Sequence, residues 1–333
     1  MSLKLNAARW VWRQRWLPLR YKKTAYRILG QNGELPSAPF VTDFFGLRYE
    51  GNLQDGIEFA LFYYGAFEKP LLFFMRNAMR AISGRNTLAP SSPVETAGTC
   101  FCDIGSNVGQ HALFMSNHAD QIHAFEPFDE VRSRLAHHIQ LNSLKNIKVH
   151  SVGLGETAGE FDFYAPTGGN RGIGSFVAAT KNKGNVPIGK LQIVRGDEYF
   201  LASSISDVQM IKIDVEGFEK AVLRGLGQTL KNYRPIVVCE VTFGESESFA
   251  SLQALHNAFP DDYVIYQFNV RKADGSTARR RGSRAKRSGA YELIPARQFP
   301  ATGQDDMVAI PQEILKSVPL TSAEAGKSGK KMA

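Results

Sequence analysis

The 333-residue sequence predicts an α/β fold, a doubly wound and mostly parallel sheet with helices on both faces. From residue 99 onward, short apolar runs alternate with turns and helical patterns, the rhythm of parallel strands joined by crossover helices. Four of these runs end in an acid, at Asp103, Glu126, Asp214 and Glu240. The first is followed by Gly105 and Gly109, where the chain must turn into a helix.

The elements follow in order. Residues 1–35 are basic, hold Trp10, Trp12 and Trp16, and read as an N-terminal extension. Residues 36–97 read as a lead-in of strands and a helix that ends in a Gly, Pro and Ser linker, 83–98. The main domain spans 98–314. TCFCDI (99–104) precedes a helix near 108–118, and QIHAFE (121–126) precedes one near 128–142. IKVHSVG (147–153) is the third strand, with EFDFYA (160–165) added beside it. MIKID (210–214) is the fourth; its helix shows Phe218, Ala221, Val222 and Leu226 on one face. IVVCEV (236–241) is the fifth, followed by a helix near 247–258. YVIYQFN (263–269) and DMVAIP (306–311) are expected to pair antiparallel around a basic insertion, 271–300, and residues 315–333 form a tail.

With 43% hydrophobic and 22% charged residues the chain can bury a large core, which excludes disorder along its whole length. Three cysteines, with Cys100 and Cys102 expected on opposite faces of their strand, argue against a disulfide framework or zinc knuckle and for a reducing, cytoplasmic setting. The most membrane-like stretch, FALFYYGAF (59–67), is closed by Glu68, Lys69 and Pro70 well short of the ~20 residues of a spanning helix. The net charge of +8 is unevenly placed. Residues 1–30 carry eight cations and no acid, and 271–287 carry eight against Asp274, which leaves −7 for the rest. An acidic body with two basic appendages is a poor footprint for a nucleic-acid-binding fold, so no nucleic acid is expected. Contact of residues 1–30 with a membrane surface stays open beside a dimer arm or a tail packed on the body.

In CDIGSNVGQH (102–111), glycines let backbone approach a ligand, and the helix start offers N–H groups to an anion. The spacing is not the G-x-G-x-x-G of dinucleotide sites, which weakens a pyrophosphate reading. Glu126, in AFEP and 21 residues after Gly105, suits the two hydroxyls of a ribose. The run IKIDVEGFEKAVLRGL (211–226) places three carboxylates where strand gives way to helix. Glu219 reads as a helix-surface acid or capping partner, and Lys212 as a neutralising charge for Asp214. In TGGNRGIGSF (167–176), Arg171 and Ser175 are possible acceptor contacts on a loop that reads equally as surface.

These segments resemble the FkbM family of S-adenosylmethionine-dependent methyltransferases: FCDIGSNVGQHALF, AFEPF followed by Asn142, IKIDVEGFEKAVLRGL with its D-V-E-G core, VVCEV and DMVAIP. The likeness covers roughly residues 40–245 and the last strand, leaving out 1–35 and 271–300; Ser106 stands where the family commonly has alanine. It implies a seven-stranded class I methyltransferase (Rossmann-like) sheet, S-adenosyl-L-methionine as cofactor, and methyl transfer to a hydroxyl of a sugar, glycan or other secondary metabolite. Asp103, Gly105, Ser106, Asn107, Gly109, Glu126, Pro127 and Asp214 are then the expected cofactor-binding set. Asp214, Glu216 and Glu240 are candidate proton acceptors with His111 as a rival, since the attacking oxygen must lose its proton. No metal is assigned; Asp214 and Glu240 lack a defined third ligand for magnesium. Rival readings are a nicotinamide-dependent oxidoreductase and a non-enzymatic basic-tailed adaptor.

Overall fold

The computed structural model describes residues 37–83, 98–166, 174–178, 184–244, 247–272, 278–297 and 299–322, with Ser276 and a few positions between 10 and 21. Most of the basic extension, the linker 84–97 and Arg171 lie outside the described residues.

The lead-in opens with a hairpin, β1 (Pro39–Phe44) and β2 (Leu47–Asn52), turned by Phe45 and Gly46 at positive φ. Helix α1 (Gly56–Tyr64) starts at Asp55, whose side chain accepts from the Ile57 and Glu58 N–H groups. Helix α2 (Lys69–Ile82), with Pro70 in its first turn, buries Leu71, Leu72, Phe74, Met75, Ala78 and Met79. The lead-in is tied to the main domain. The Asn142 side-chain oxygen accepts from the Arg48 N–H (2.8 Å) and its amide donates to the Arg48 carbonyl (2.9 Å), like one rung of a neighbouring strand. Arg134 pairs with Glu58, which is fully buried and also holds Tyr49 and the Asn52 N–H.

The main sheet begins with β3 (Cys100–Ile104), buried at every residue as a central strand covered on both faces must be. It leads to α3 (Gln110–Met115), β4 (Gln121–Phe125), α4 (Asp129–Leu141) and β5 (Ile147–His150). A second, three-stranded sheet follows: β6 (Gly153–Gly155), β7 (Gly159–Pro166) and β8 (Asn185–Arg195), ordered β6-β8-β7. Then come α5 (Gly196–Ala202), β9 (Val208–Ile213), α6 (Glu219–Gly225), α7 (Gly227–Tyr233), β10 (Ile236–Phe243), α8 (Leu252–His256), β11 (Tyr263–Phe268), α9 (Arg279–Ser288), β12 (Leu293–Pro295) and β13 (Gly303–Pro311).

The main sheet is ordered β12-β11-β13-β10-β9-β3-β4-β5. The run from β10 through β9, β3 and β4 to β5 is parallel; β13 pairs antiparallel with β11, as expected, and also with β10. The sheet has eight strands rather than seven, because β12 inside the basic insertion adds to the edge of β11. EFDFYA also departs from expectation, since β7 joins the second sheet. Alternation along β3 divides two cores: Phe101 packs with α2, α3 and α4 on one face, while Cys100 and Cys102 pack with α5, α6, α7 and α8 on the other. The two cysteines thus share a face, as residues two apart on a strand do, which corrects the expectation above.

Candidate active site

Strands β3 and β9 are neighbours at the point where strand order reverses, so their carboxyl ends open into one crevice. The Asp214 N–H donates to the Ile104 carbonyl (3.0 Å), tying the two turns together. Gly105 has φ +79°, and a Cβ there would collide with the Asp214 carbonyl oxygen, so this glycine is required by the crossing of two backbones. After β9 the chain reverses through Glu216 and Gly217, both at positive φ. Glu219 holds this reversal: its Oε1 accepts from the Val215 (3.1 Å) and Gly217 (3.0 Å) N–H groups, and its side chain is buried. It is therefore no surface acid. Burial pushes its carboxyl up to about 7.

A first cleft of about 560 Å³, part of it open to solvent, lies beyond β3 and β4. Gly105, Asn107, Glu126, Pro127, Asp214 and Glu216 line it, together with an apolar wall that includes Phe125, Leu154, Phe163, Phe176 and Phe218. The aromatic part of that wall is continuous, with Phe163 5.0 Å from Phe176 and Phe176 5.6 Å from Phe218. Glu126 accepts the Asn107 N–H on Oε2 (2.8 Å) and the Phe128 N–H on Oε1 (2.9 Å). Each oxygen keeps a lone pair, enough for two hydroxyl donors. Burial pushes this carboxyl up to about 7 despite those bonds.

Five expected cofactor residues or bases do not line this cleft: Glu240, taken up below, and four around the turn after β3. Asp103 is fully buried beneath it and accepts the Ala112 N–H (3.0 Å), so a chain carboxylate already occupies the start of α3. Ser106 is buried within the turn, and Gly109, at φ +85°, packs on Leu135. His111 is buried, with Nε2 3.4 Å from Glu68 Oε2; burial and the nearby Lys212 charge lower its pKa to about 3, which makes it a weak base. Ser175 donates to the Glu216 carbonyl (2.7 Å), fastening the glycine-rich loop to the carboxylate turn.

Lys212 is 1% exposed, sits across from Asp103 in register, and places Nζ 3.0 Å from Asp214 Oδ2. Burial opposes its charge, but Asp214, Asp103 and Glu68 outweigh that and keep it protonated. Burial would likewise raise Asp214, yet the Lys212 charge and hydrogen bond win, so Asp214 is held below its ordinary value and is ionised. Glu240 behaves oppositely: burial, then Asp214 and Asp306, push it well above the carboxylate range. Asp214, Glu216 and Glu240 bring carboxylate oxygens within 4.8 Å of one another, which supplies the third residue that a divalent cation would need. Gln304 Nε2 lies 3.3 Å from Glu240 and 3.5 Å from Glu216, a bridging role that nothing in the sequence announced.

Residues 103–265 match the family described as the methyltransferase FkbM domain. The chain is 27% identical to "Methyltransferase 1" of Beauveria bassiana over 198 residues, 51% of this chain and 80% of the relative. It is 29% identical to the hexuronic acid methyltransferase AglP of Haloferax volcanii over 137 residues, spanning 41% of this chain and about half (53%) of that relative. Among solved structures, the FkbM methyltransferase from Methylobacillus flagellatus aligns at 15% identity and TM-score 0.39, covering 74% of this chain and 49% of that one. A SAM-dependent methyltransferase from Agrobacterium tumefaciens aligns at 10% identity and TM-score 0.42, covering 89% and 80%. Over residues 103–265 the chain is thus similar to the FkbM methyltransferases, and both curated relatives are methyltransferases.

Proposed function

We propose that this methyltransferase acts on a hydroxyl oxygen of a sugar or glycan, with the cofactor in the first cleft and Asp214 as proton acceptor. The observation that carries this reading is an ionised Asp214 in the cleft wall, beside a Glu240 that holds its proton. The relative from Haloferax volcanii, a hexuronic acid methyltransferase, supports the sugar class.

The cleft fits the cofactor by its chemistry. Two free Glu126 lone pairs suit ribose hydroxyls, and the aromatic wall suits an adenine ring. When bound, S-adenosylmethionine supplies an electrophilic methyl group on a cationic sulfonium. The chain's residues then hold the acceptor oxygen in line and take its proton. Asp214 suits that step because the buried Lys212 keeps it ionised while it stays partly exposed to the cleft, and Glu240 can donate a hydrogen bond to it. No covalent enzyme intermediate is involved.

Asp214→Asn keeps shape but cannot accept a proton, so turnover on an accepted sugar is expected to fall about 10²–10⁴-fold. Affinity for S-adenosylhomocysteine should stay within a few-fold. Unchanged turnover would remove Asp214 from this role. The proton-acceptor reading also expects turnover to persist in EDTA; loss there would reassign Asp214, Glu216 and Glu240 to a cation.

A further inference from the structure

A second cleft of about 990 Å³, part of it open to solvent, lies on the far side of the carboxylates that end the first. Its lining includes Glu240, Gln304 and Asp306, with Leu71 and Phe268 as an apolar strip. Gln304 spans the divide, reaching Glu216 of the first cleft and Glu240 of the second. The two cavities therefore abut at the carboxylates proposed to take the proton.

Glu68, Arg271 and Asp305 also line it, and α9 adds Gly282, Ala285 and Lys286. This helix belongs to the insertion 271–300, which lies outside the family resemblance. It is fixed in place, since Gly289 at its end packs on Phe73 and Lys69 Nζ lies 3.4 Å from the Arg287 carbonyl. Its sequence RRRGSRAKRS holds six cations and no acid. Among the described residues, Arg284, Lys286 and Arg287 are exposed and form no ion pair. Like charges three or four positions apart on a helix, as at Arg284 and Arg287, repel one another and destabilise it. Carboxylates of the cleft answer part of this charge, since Glu68 on its wall feels Lys286, which leaves Arg284 and Arg287 beside it to meet an anion that arrives there.

Building on the reading above, we propose that this second cleft is the acceptor site and that α9 recognises an anionic group, carboxylate or phosphate, on a sugar whose reactive hydroxyl points to the Asp214–Glu240 wall. The two ends of the cleft suit the two ends of such a molecule. Glu240 and Asp306, directly opposite each other on β10 and β13, put two half-buried carboxyl groups on the cleft wall within reach of sugar hydroxyls. Leu71 and Phe268 offer apolar surface to the C–H face of a sugar ring. Lys286 at the mouth, with Arg284 and Arg287 beside it, suits a carboxylate or phosphate.

The test uses the full chain loaded with S-adenosylhomocysteine and ligand-observed NMR of three probes: glucuronate, glucose-6-phosphate and glucose. At low salt at least one anionic sugar should bind about tenfold or more tighter than glucose, and added salt should shrink that advantage. The tighter of the two identifies the anionic group. Arg284→Glu/Lys286→Glu/Arg287→Glu should erase the advantage, and Ala285→Trp should abolish binding of all three sugars, both with calorimetric S-adenosylhomocysteine affinity unchanged. Should the triple variant fail to bind S-adenosylhomocysteine, Lys286→Gln is read in its place, with the advantage reduced. Glucose binding as tightly as both anionic sugars, neither anionic sugar binding, or an advantage that survives the charge reversal would overturn the proposal. Failure of the unaltered protein to bind S-adenosylhomocysteine would count against the cofactor reading instead.

Discussion

Glu126 and Glu219 are both buried carboxyls pushed up to about 7, yet they face different futures when ligand arrives. Glu126 borders the first cleft, and ribose hydroxyls would donate to its ionised form. S-adenosylhomocysteine affinity should therefore rise with pH up to about 7 and flatten above it, and Glu126→Ala should remove that slope and cost roughly 1.5–3 kcal/mol. Calorimetry at about pH 5.5 and about pH 8 checks this; a pH-independent affinity in the unaltered protein would remove the ribose assignment. Glu219 lies off both clefts, and its Oε2 has no hydrogen-bond partner. Its folded pKa is raised, so the stability it contributes is present below its unfolded pKa of about 4.5 and is lost as pH rises through about 7. Glu219→Gln can still accept both turn N–H groups without a buried charge. Its melting temperature relative to the unaltered protein should climb between about pH 5 and about pH 8, by the equivalent of 2–3 kcal/mol. Taking the difference cancels the buried histidines, whose contribution has the opposite sign.

At the scale of elements, the parallel strands were legible because each is a buried apolar run closed by an acid, and β3, β4, β9 and β10 lie where such runs stand. The second sheet was not. β8, NVPIGKLQIVR, has Pro187 and Gly189 within it and lies mostly exposed, so neither an apolar run nor clean alternation marks it. Edge strand β12, three residues long, gives no period to read. The site shows the same division: Glu126 and Asp214 stand at strand ends, where topology alone brings them together. Gln304 and the phenylalanine wall arrive through β13 and the second sheet, from sequence distances that no local pattern spans. In the sequence Asn142 carries no signal beyond the resemblance; in the structure its role is physical. It pairs with the edge of β2, so Asn142→Ala should loosen the lead-in by about 1 kcal/mol while leaving S-adenosylhomocysteine affinity unchanged. A calorimetric melt of the variant measures the first and titration the second; an unshifted melt would mean water replaces both bonds at no cost.

For the whole molecule, the question is what an acidic body does with two basic appendages. One of them, α9, lines the second cleft through Gly282, Ala285 and Lys286, where we assign it an anionic ligand. The other, residues 1–30, carries eight cations without an acid and three tryptophans within seven positions. No helix among the described residues is long and apolar enough to cross a membrane. Cations beside tryptophans suit the headgroup layer, so the lipid contact proposed for this segment is electrostatic and interfacial. Each cation near an anionic surface is worth about 1 kcal/mol, fading within a Debye length of about 10 Å at 0.1 M salt. The lead-in that fastens to the main domain begins at Ala38, which is buried and donates its N–H to Asn52 Oδ1 (2.9 Å), after the basic segment has ended. A protein starting near Gly33 should therefore bind S-adenosylhomocysteine as the full chain does but no longer sediment with phosphatidylserine vesicles at low salt. Equal sedimentation of the two would exclude lipid contact by residues 1–30, and lost cofactor binding would place them within the fold.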